Sequence, residues 1–535
     1  MKPILKYLLV SLVLALTVVQ CAKRGSPTGG PEDTTPPTFV KAEPPNYTTN
    51  FEADRIRIYF DEYVKLNNVQ KQLIVSPPLE RPQISPQGAA SKYIEIKISD
   101  TLEANTTYVF NFGQSIQDNN EGNPLSFFKY VFSTGPVIDS LTLSGSIKDA
   151  LLPETDNFVT VMLYEVDSTF TDSTIYKDRP KYVTNTLDSL TSFELTNLKA
   201  GSYQLVALKD ENGNYTFEPN QDKIAFAKEY IQLPTDSSYT LELFQEAPKL
   251  SIERVQFSSV HTAKFLVQGR ADSLRLEWLS PKPEGFKSLR YRIPGQDTIQ
   301  YWFQPKAVLD TVQFLAVAPG LQDTLVGRVR NAPPDSLRFS PVTGGTLNLL
   351  KPYEIRPNNP IVQIDTTQIR LVRNDSIPMV FQVYPVMKEA LVRFEFERME
   401  KSSYTLLALP GAFTDFVEQT NDTLRYSIRT RSLSDYGDLE LTLEGTERYP
   451  YLIQLTDEKG VVSQEQWAQS GQTIFKFNAL DPGKYLIRLV EDANSNGRYD
   501  PGSFLEKRQA EEVIYYPEVI DIRSGWLPKI TFRLR

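Results

Sequence analysis

The sequence predicts an all-β protein built from tandem β-sandwiches, and three observations carry this. Polar and apolar residues alternate with period two over many short runs, such as Arg55-Ile56-Arg57-Ile58-Tyr59-Phe60 and Tyr93-Ile94-Glu95-Ile96-Lys97-Ile98, the mark of half-buried strands. In 535 residues, 29 Phe, 27 Tyr and 37 Pro stand against 5 Met, a balance that favours short strands and punctuating turns over long helices. One stretch also recurs: Phe193, Leu198, Gly201, Tyr203, Asp210, Asn212, Asn214 and Pro219 match Phe475, Leu480, Gly483, Tyr485, Asp492, Asn494, Asn496 and Pro501, every pair 282 residues apart. Ungapped agreement at Gly, Pro and Asx positions needs a shared backbone path. Cys21 is the single cysteine, so no internal disulfide forms and the sheet cores must carry stability.

Lys2 and Lys6 open the chain, Tyr7 to Val19 is a continuous apolar run, and Gln20-Cys21 closes it. A positive start followed by an apolar stretch of ~7–15 residues is a secretory signal, too short to span a bilayer comfortably. Residues 1–20 read as signal peptide. Residues 21–37 read as a cysteine followed by a Gly/Pro-rich tether whose composition cannot bury a core. This resembles a bacterial lipoprotein signal peptide, whose cysteine is lipidated and becomes the mature N-terminus. Val18 fits the apolar −3 position and Gln20 departs from the usual small residue at −1. The alternative is an ordinary secretory leader with a chance cysteine. Lipidation of Cys21 would attach the chain to a membrane, and Ala22 at +2 is compatible with sorting to an outer membrane. No later apolar run approaches ~18 residues. The net charge of −9, with no basic patch or aromatic RNA-binding motif, argues against nucleic acid.

Five sandwiches follow the tether. In residues 38–135, strand-like runs surround Phe60-Asp61-Glu62-Tyr63-Val64, Leu102 with Thr107-Tyr108, a loop from Asp118 to Leu125, and a closing Phe132-Ser133-Thr134. This combination resembles the bacterial Ig-like domain of S-layer and surface proteins, which implies two packed sheets and no catalysis. Residues 141–245 hold the first copy of the repeat. Its Leu198/Gly201/Tyr203 spacing, repeated at Leu480/Gly483/Tyr485, resembles the prealbumin-like or carboxypeptidase-regulatory-like modules of exported bacterial proteins. Residues 250–341 read as a further sandwich. Residues 342–431 follow the strand order of the first domain, with Tyr404 standing for Tyr108, although the loop from Gly411 to Asp422 lacks the Asp/Gly-Asn pattern. Residues 438–535 repeat 141–245, so the order suggests duplication of an Ig-like/prealbumin-like pair.

Two Asx-rich loops are the candidate sites. Asp210, Asn212, Asn214 and Glu218, and likewise Asp492, Asn494, Asn496 and Asp500, fall at positions 1, 3, 5 and 9 of an EF-hand-like loop. Hard oxygen ligands at alternating positions suit Ca²⁺. Position 12 holds Gln221 and Ser503 in place of Glu, and a turn whose Asx side chains satisfy their own backbone accounts for the pattern equally well. His261 is the only histidine and no nucleophile elbow lies near it, so the chain reads as a non-enzyme without a zinc site. Asp-Ser/Thr-aliphatic triplets recur at Thr101, Ser140, Ser189, Ser273, Thr298, Thr311, Thr324, Ser336, Ser376 and Thr423. They resemble the O-glycosylation acceptor motif of exported Bacteroidetes proteins; turn caps before strands are the alternative. Together these features resemble a Bacteroidetes outer-membrane lipoprotein. The expected function is a non-enzymatic, lipid-anchored scaffold or accessory subunit of an outer-membrane protein assembly, at the cell surface in preference to the periplasmic face. Analogy alone points that assembly to β-barrel biogenesis or nutrient uptake. The rival is a glycan-binding or adhesion lipoprotein stacking sugars on Trp278, Trp302, Trp467 and Trp526, against which stands the favoured reading of these tryptophans as sandwich core.

Overall fold

Alternation decides which side of each strand is buried. In Arg55–Leu66, Ile56, Ile58, Phe60 and Val64 point inward, and the residues flanking each of them lie nearer solvent. A computed structural model describes residues 33–80, 82–187, 191–306, 308–329, 333, 336–445 and 449–534. These residues are all-β: strands in eleven sheets, with only short helical turns between them. Among the described residues, no helix is long and apolar enough to cross a membrane. The chain divides into two compact units. One takes the described residues up to Thr142 with Lys181–Leu187 and Leu195–Lys199; the other takes those within Leu143–Pro180, Asp188–Glu194 and Ala200–Arg535.

In the first unit, Phe39–Glu43, Arg55–Leu66, Ser91–Lys97 and Gln83–Ser85 form one sheet in that order, with Ile116–Asp118 pairing on Arg55–Leu66 beyond a bulge. Ile74–Ser76, Thr107–Asn111 and Lys129–Ser133 form the other. Ile58, Ile94, Ile96, Phe110, Phe112 and Phe132 fill the space between them. Tyr182–Asn185 belongs to this unit by contact, and the Val183 N–H donates to Ser76 Oγ at 3.0 Å.

The second unit holds the other sandwiches. Ser251–Ser259, Thr262–Gln268, Thr298–Gln304 and Lys287–Arg292 form one sheet, and Arg275–Trp278, Thr311–Ala318 and Leu321–Arg328 form another. Phe265, Phe303 and Phe314 make their shared core with Trp278. Further along, Phe339–Pro341, Tyr353–Pro357, Leu391–Phe396 and Phe381–Val386 make one sheet. Thr346–Leu347, Leu424–Thr430, Ser403–Ala408, Ile369–Arg373 and Ile377–Pro378 make its companion, and Ile355, Phe394, Tyr404 and Ile428 are buried in one core.

The first sandwich and the 342–431 region share a corner that fixes a strand against its neighbouring loop. The Tyr108 hydroxyl accepts the Glu103 N–H at 2.9 Å, and Thr134 Oγ1 accepts the Thr106 N–H at 2.9 Å. Tyr404 accepts the Met399 N–H at 2.6 Å, and Thr430 Oγ1 accepts the Ser402 N–H at 3.1 Å. Each tyrosine reaches back five residues, the habit of a tyrosine corner in Ig-like sandwiches. Tyr108→Phe and Tyr404→Phe are each expected to cost about 1–3 kcal/mol, because a partly buried N–H loses its acceptor. The denaturant midpoint should fall with an unchanged slope.

The repeat is a repeat of structure. Gly201–Lys209 and Gly483–Glu491 have the same length and the same offset of 282. Leu208 pairs with Ile224 as Val490 pairs with Val513, and Tyr203 pairs with Ile231 as Tyr485 pairs with Ile520. The partners are 289 apart, so the later copy carries seven extra residues between Pro501 and Val513. Both copies close with a parallel strand: Tyr239–Leu243 runs beside Gly145 to Asp149, and Lys529–Arg533 beside Gly437–Glu444.

The extra residues reach the earlier copy within the second unit. Phe504 is fully buried, with its ring edge-on to Phe226 at 5.2 Å. Its N–H donates to the Glu246 carboxylate. Lys507 pairs with Asp172 at 2.6 Å, and the Gln509 amide donates to the Phe226 carbonyl at 3.1 Å. Gly502 lies so close to Phe244 that a Cβ there would overlap the ring. The insertion is therefore a clasp between the two copies.

Candidate functional site

Each Asx loop leaves the end of the long strand of its copy. In the first loop, Asp210 accepts the Gly213 N–H at 2.7 Å, the Asn214 N–H at 3.3 Å and the Tyr215 N–H at 2.8 Å. The Asn212 and Asn214 amides donate to the two Glu218 oxygens at 3.0 and 2.9 Å. In the second loop, the Asp492 carboxylate is buried and accepts the Asn496 N–H at 3.0 Å and the Gly497 N–H at 2.7 Å. The Asn494 and Asn496 amides both donate to one Asp500 oxygen at 2.5 Å. The structure thus groups the side chains of Asn212, Asn214 and Glu218, and of Asn494, Asn496 and Asp500, while Asp210 and Asp492 turn to backbone N–H groups of their own loops.

It adds a fifth that the spacing does not reveal. Asp222 accepts the Glu218 N–H at 2.8 Å, and Glu511 accepts the Asp500 N–H at 2.8 Å. These two carboxylates are 289 apart, equivalent once the seven-residue insertion is counted. The fixed offset of 282 ends at Pro501, so an ungapped comparison does not align them. Burial raises the pKa of both Asp222 and Glu511, against the N–H donors that lower it. Burial also pushes Asp500 up, but the Asn494 amide and Arg270 outweigh it and hold Asp500 below its usual range.

The loops differ in their surroundings. Arg270 ion-pairs with Asp500, and Arg498 pairs with Asp272 at 3.2 Å. Beside the second loop lies a cavity of about 400 Å³ lined by Pro248, Arg270, Asn494, Asp500, Pro501 and Arg508. Among the described residues, no group of three or more His, Cys, Asp or Glu side chains is placed to hold a metal ion. The oxygen set here mixes carboxylates with amides. A half-turn of each Asn amide would exchange its two donors for an acceptor facing the same carboxylate.

The other sequence-predicted residues are scattered. Cys21 and Ser189 lie outside the described residues. Thr101, Ser140, Ser273, Thr311, Thr324, Ser336, Ser376 and Thr423 are exposed and Thr298 is half-buried. The following residue turns inward in several cases: Leu274, Ile299 and Val312 are buried. Two of the four tryptophans are unavailable to a glycan, since Trp278 and Trp302 are only 5% and 4% exposed and pack within hydrophobic clusters. Trp467 and Trp526 are 36% and 56% exposed, and the Arg523 guanidinium covers the Trp526 ring at 4.9 Å. His261 is half-buried, its ring 6.4 Å from that of Phe303.

Residues 33–134 match the family model described as a bacterial Ig-like domain. A search of curated proteins found none that matches the chain. Among solved structures, the chain is similar to a three-Ig fragment of titin at 13% identity and TM-score 0.12, covering 45% of this chain and 94% of that one. It is similar to domains 1–6 of the surface-layer protein SbsC at 11% identity and TM-score 0.15, covering 91% and 67%. It is similar to Salmonella alpha-2-macroglobulin reacted with methylamine at 10% identity and TM-score 0.14, covering 90% and 42%. At such TM-scores these likenesses carry no functional weight. The family match covers the first sandwich, which is similar to a bacterial Ig-like domain.

Proposed function

We propose that this chain is a non-enzymatic, lipid-anchored protein of the outer membrane, a scaffold or accessory subunit of an outer-membrane protein assembly. The observation that carries the reading is the succession of sandwiches, opened by one that matches a bacterial Ig-like domain and preceded in the sequence by an apolar run ending at a lone cysteine. Sandwiches of this kind present edges and loops to partners on a rigid frame. The cell-surface face is the favoured location, and the exposed Asp-Ser/Thr-aliphatic sites are its O-glycosylation acceptors. Burial of Trp278 and Trp302 weakens the glycan-binding alternative, which retains Trp467 and Trp526. Fractionation at high salt, which screens surface charge, tests the anchor: the wild-type chain is expected with outer membranes and Cys21→Ala in the soluble fraction. A soluble wild-type chain would overturn the reading.

The Asx loops belong to the same proposal as Ca²⁺ sites. Asp210, Asn212, Asn214 and Glu218 would hold one ion, and Asp492, Asn494, Asn496 and Asp500 the other; the oxygen-only donor set suits a hard cation. The ion would brace each loop against its strand. Calcium at a hundredfold excess over Kd is expected to stabilise the chain by about 2.7 kcal/mol per site. Asn212→Ala and Asn494→Ala should each remove one site's share, and an unchanged melting curve with and without chelator would contradict it.

A further inference from the structure

We propose that the outward face of the first sandwich's larger sheet docks on the anionic headgroups of the membrane; this rests on the lipid-anchor reading above. Tyr59 and Tyr93 are cross-strand partners with ring centroids 5.7 Å apart. Lys41 covers the Tyr59 ring at 4.9 Å and Arg57 the Tyr93 ring at 5.6 Å. Past the bulge in Arg55–Leu66, Lys92 covers the ring of Tyr63, which is largely exposed, at 5.6 Å. Arg55 and Lys97 pair across the same two strands and are exposed. The carboxylates among these cations are Glu43, which pairs with Lys41 at 2.6 Å, Glu95, which pairs with Arg57 at 2.8 Å, and the exposed Asp61, which lies between Tyr59 and Tyr63 on the same strand. Cations exceed carboxylates here although the whole chain carries a charge of −9.

Tyr beside Lys and Arg is the pairing that suits a membrane–water interface, with rings at headgroup level and cations on phosphates. A sugar-stacking role fits less well, because the ring faces are already covered by cations. The tether ends beside this face. Thr38 donates through its N–H and hydroxyl to Asp61 at 2.8 and 2.6 Å, and the strand Phe39–Glu43 that carries Lys41 follows at once. Eleven residues separate Cys21 from Asp33, twelve backbone steps that span at most about 40 Å. An anchored chain therefore holds this sheet within reach of the headgroups. Asp118 and Glu121 lie in and beside the loop after Ile116–Asp118, which borders this face where the Asn119 N–H donates to the Tyr63 carbonyl at 2.9 Å.

The test uses the full secreted chain carrying Cys21→Ser, so that no acyl chain contributes. It is sedimented with vesicles of pure phosphatidylcholine and with vesicles containing roughly 30% phosphatidylglycerol, which span neutral and anionic surfaces. Binding to the anionic vesicles alone is expected, weakening as salt rises. Lys41→Gln/Arg57→Gln/Lys92→Gln should weaken it about tenfold or more, while Lys476→Gln/Lys529→Gln/Arg533→Gln, three cations removed elsewhere, should not. Circular dichroism confirms that both variants fold. Equal binding to both vesicles, no binding, or equal loss in the two variants would overturn the proposal. Lipidation is read separately from fractionation of the wild type, so failure here leaves the anchor standing, and loss of the anchor leaves the vesicle result intact.

Discussion

Asp118→Ala is expected to destabilise the first sandwich by about 3 kcal/mol or more, the largest effect of any single polar substitution in it. Asp118 is 1% exposed, and its carboxylate accepts the N–H groups of Asn120, Glu121, Gly122 and Asn123 at 2.7–3.0 Å. Removing it strands four donors, each costing about 1 kcal/mol if water satisfies it in part. Burial raises the Asp118 pKa, but the four N–H donors prevail and hold it below the usual range. A depressed folded pKa means that its stabilisation is present above the unfolded value of about 3.9 and is lost as pH falls through the folded value. Chemical denaturation of wild type and Asp118→Asn between about pH 7 and pH 2 checks this: the wild-type advantage should shrink only below about pH 4. A difference independent of pH would refute the assignment. Asp415 does the same work in the fourth sandwich, accepting the Val417 N–H at 2.9 Å, the Gln419 N–H at 2.8 Å and the Asn359 amide at 2.7 Å.

Phe504→Ala should be the second large change, weakening the clasp by about 3–5 kcal/mol through loss of a buried ring and the cavity left behind. Phe504 lies in the segment that carries the insertion and packs on Phe226 and Tyr176, residues of the earlier copy. Its effect should fall on the joint more than on either sandwich, because the core of the later copy closes around Leu441, Phe477 and Leu489 without it. Calorimetry of the wild type is expected to show the two copies melting together, and Phe504→Ala should separate their transitions. Gly502→Val, which drives a side chain into Phe244, should act in the same direction. One unchanged transition in both variants would show that the insertion does not couple the copies.

Much of this is legible in the sequence. The strands announce themselves because one face is buried and the period is two, as in Arg55–Leu66. The repeat is legible because Gly201, Tyr203 and Asp210 keep their spacing in the second copy. What stays hidden depends on three-dimensional closure. Asp222 and Glu511 do not align across an ungapped comparison, and the clasp residues Phe504 and Lys507 follow no period. Asp415 gives no sequence signal, because the loop around it lacks the Gly-Asn pattern of the Asp118 loop, yet the same carboxylate chemistry folds both. An acceptor that gathers backbone donors tolerates almost any neighbouring side chains, so its signal is one residue wide. The tryptophans divide: Trp278 and Trp302 take the sandwich-core places expected of them, while Trp467 and Trp526 stay exposed.

The most direct measurement is a crosslinking pull-down from native outer membranes, with the wild type beside Cys21→Ala. Stoichiometric recovery of an outer-membrane barrel or of its assembly machinery is expected with the wild type, and loss of that partner with the variant. Recovery of a membrane-attached wild-type chain with no protein partner would contradict it.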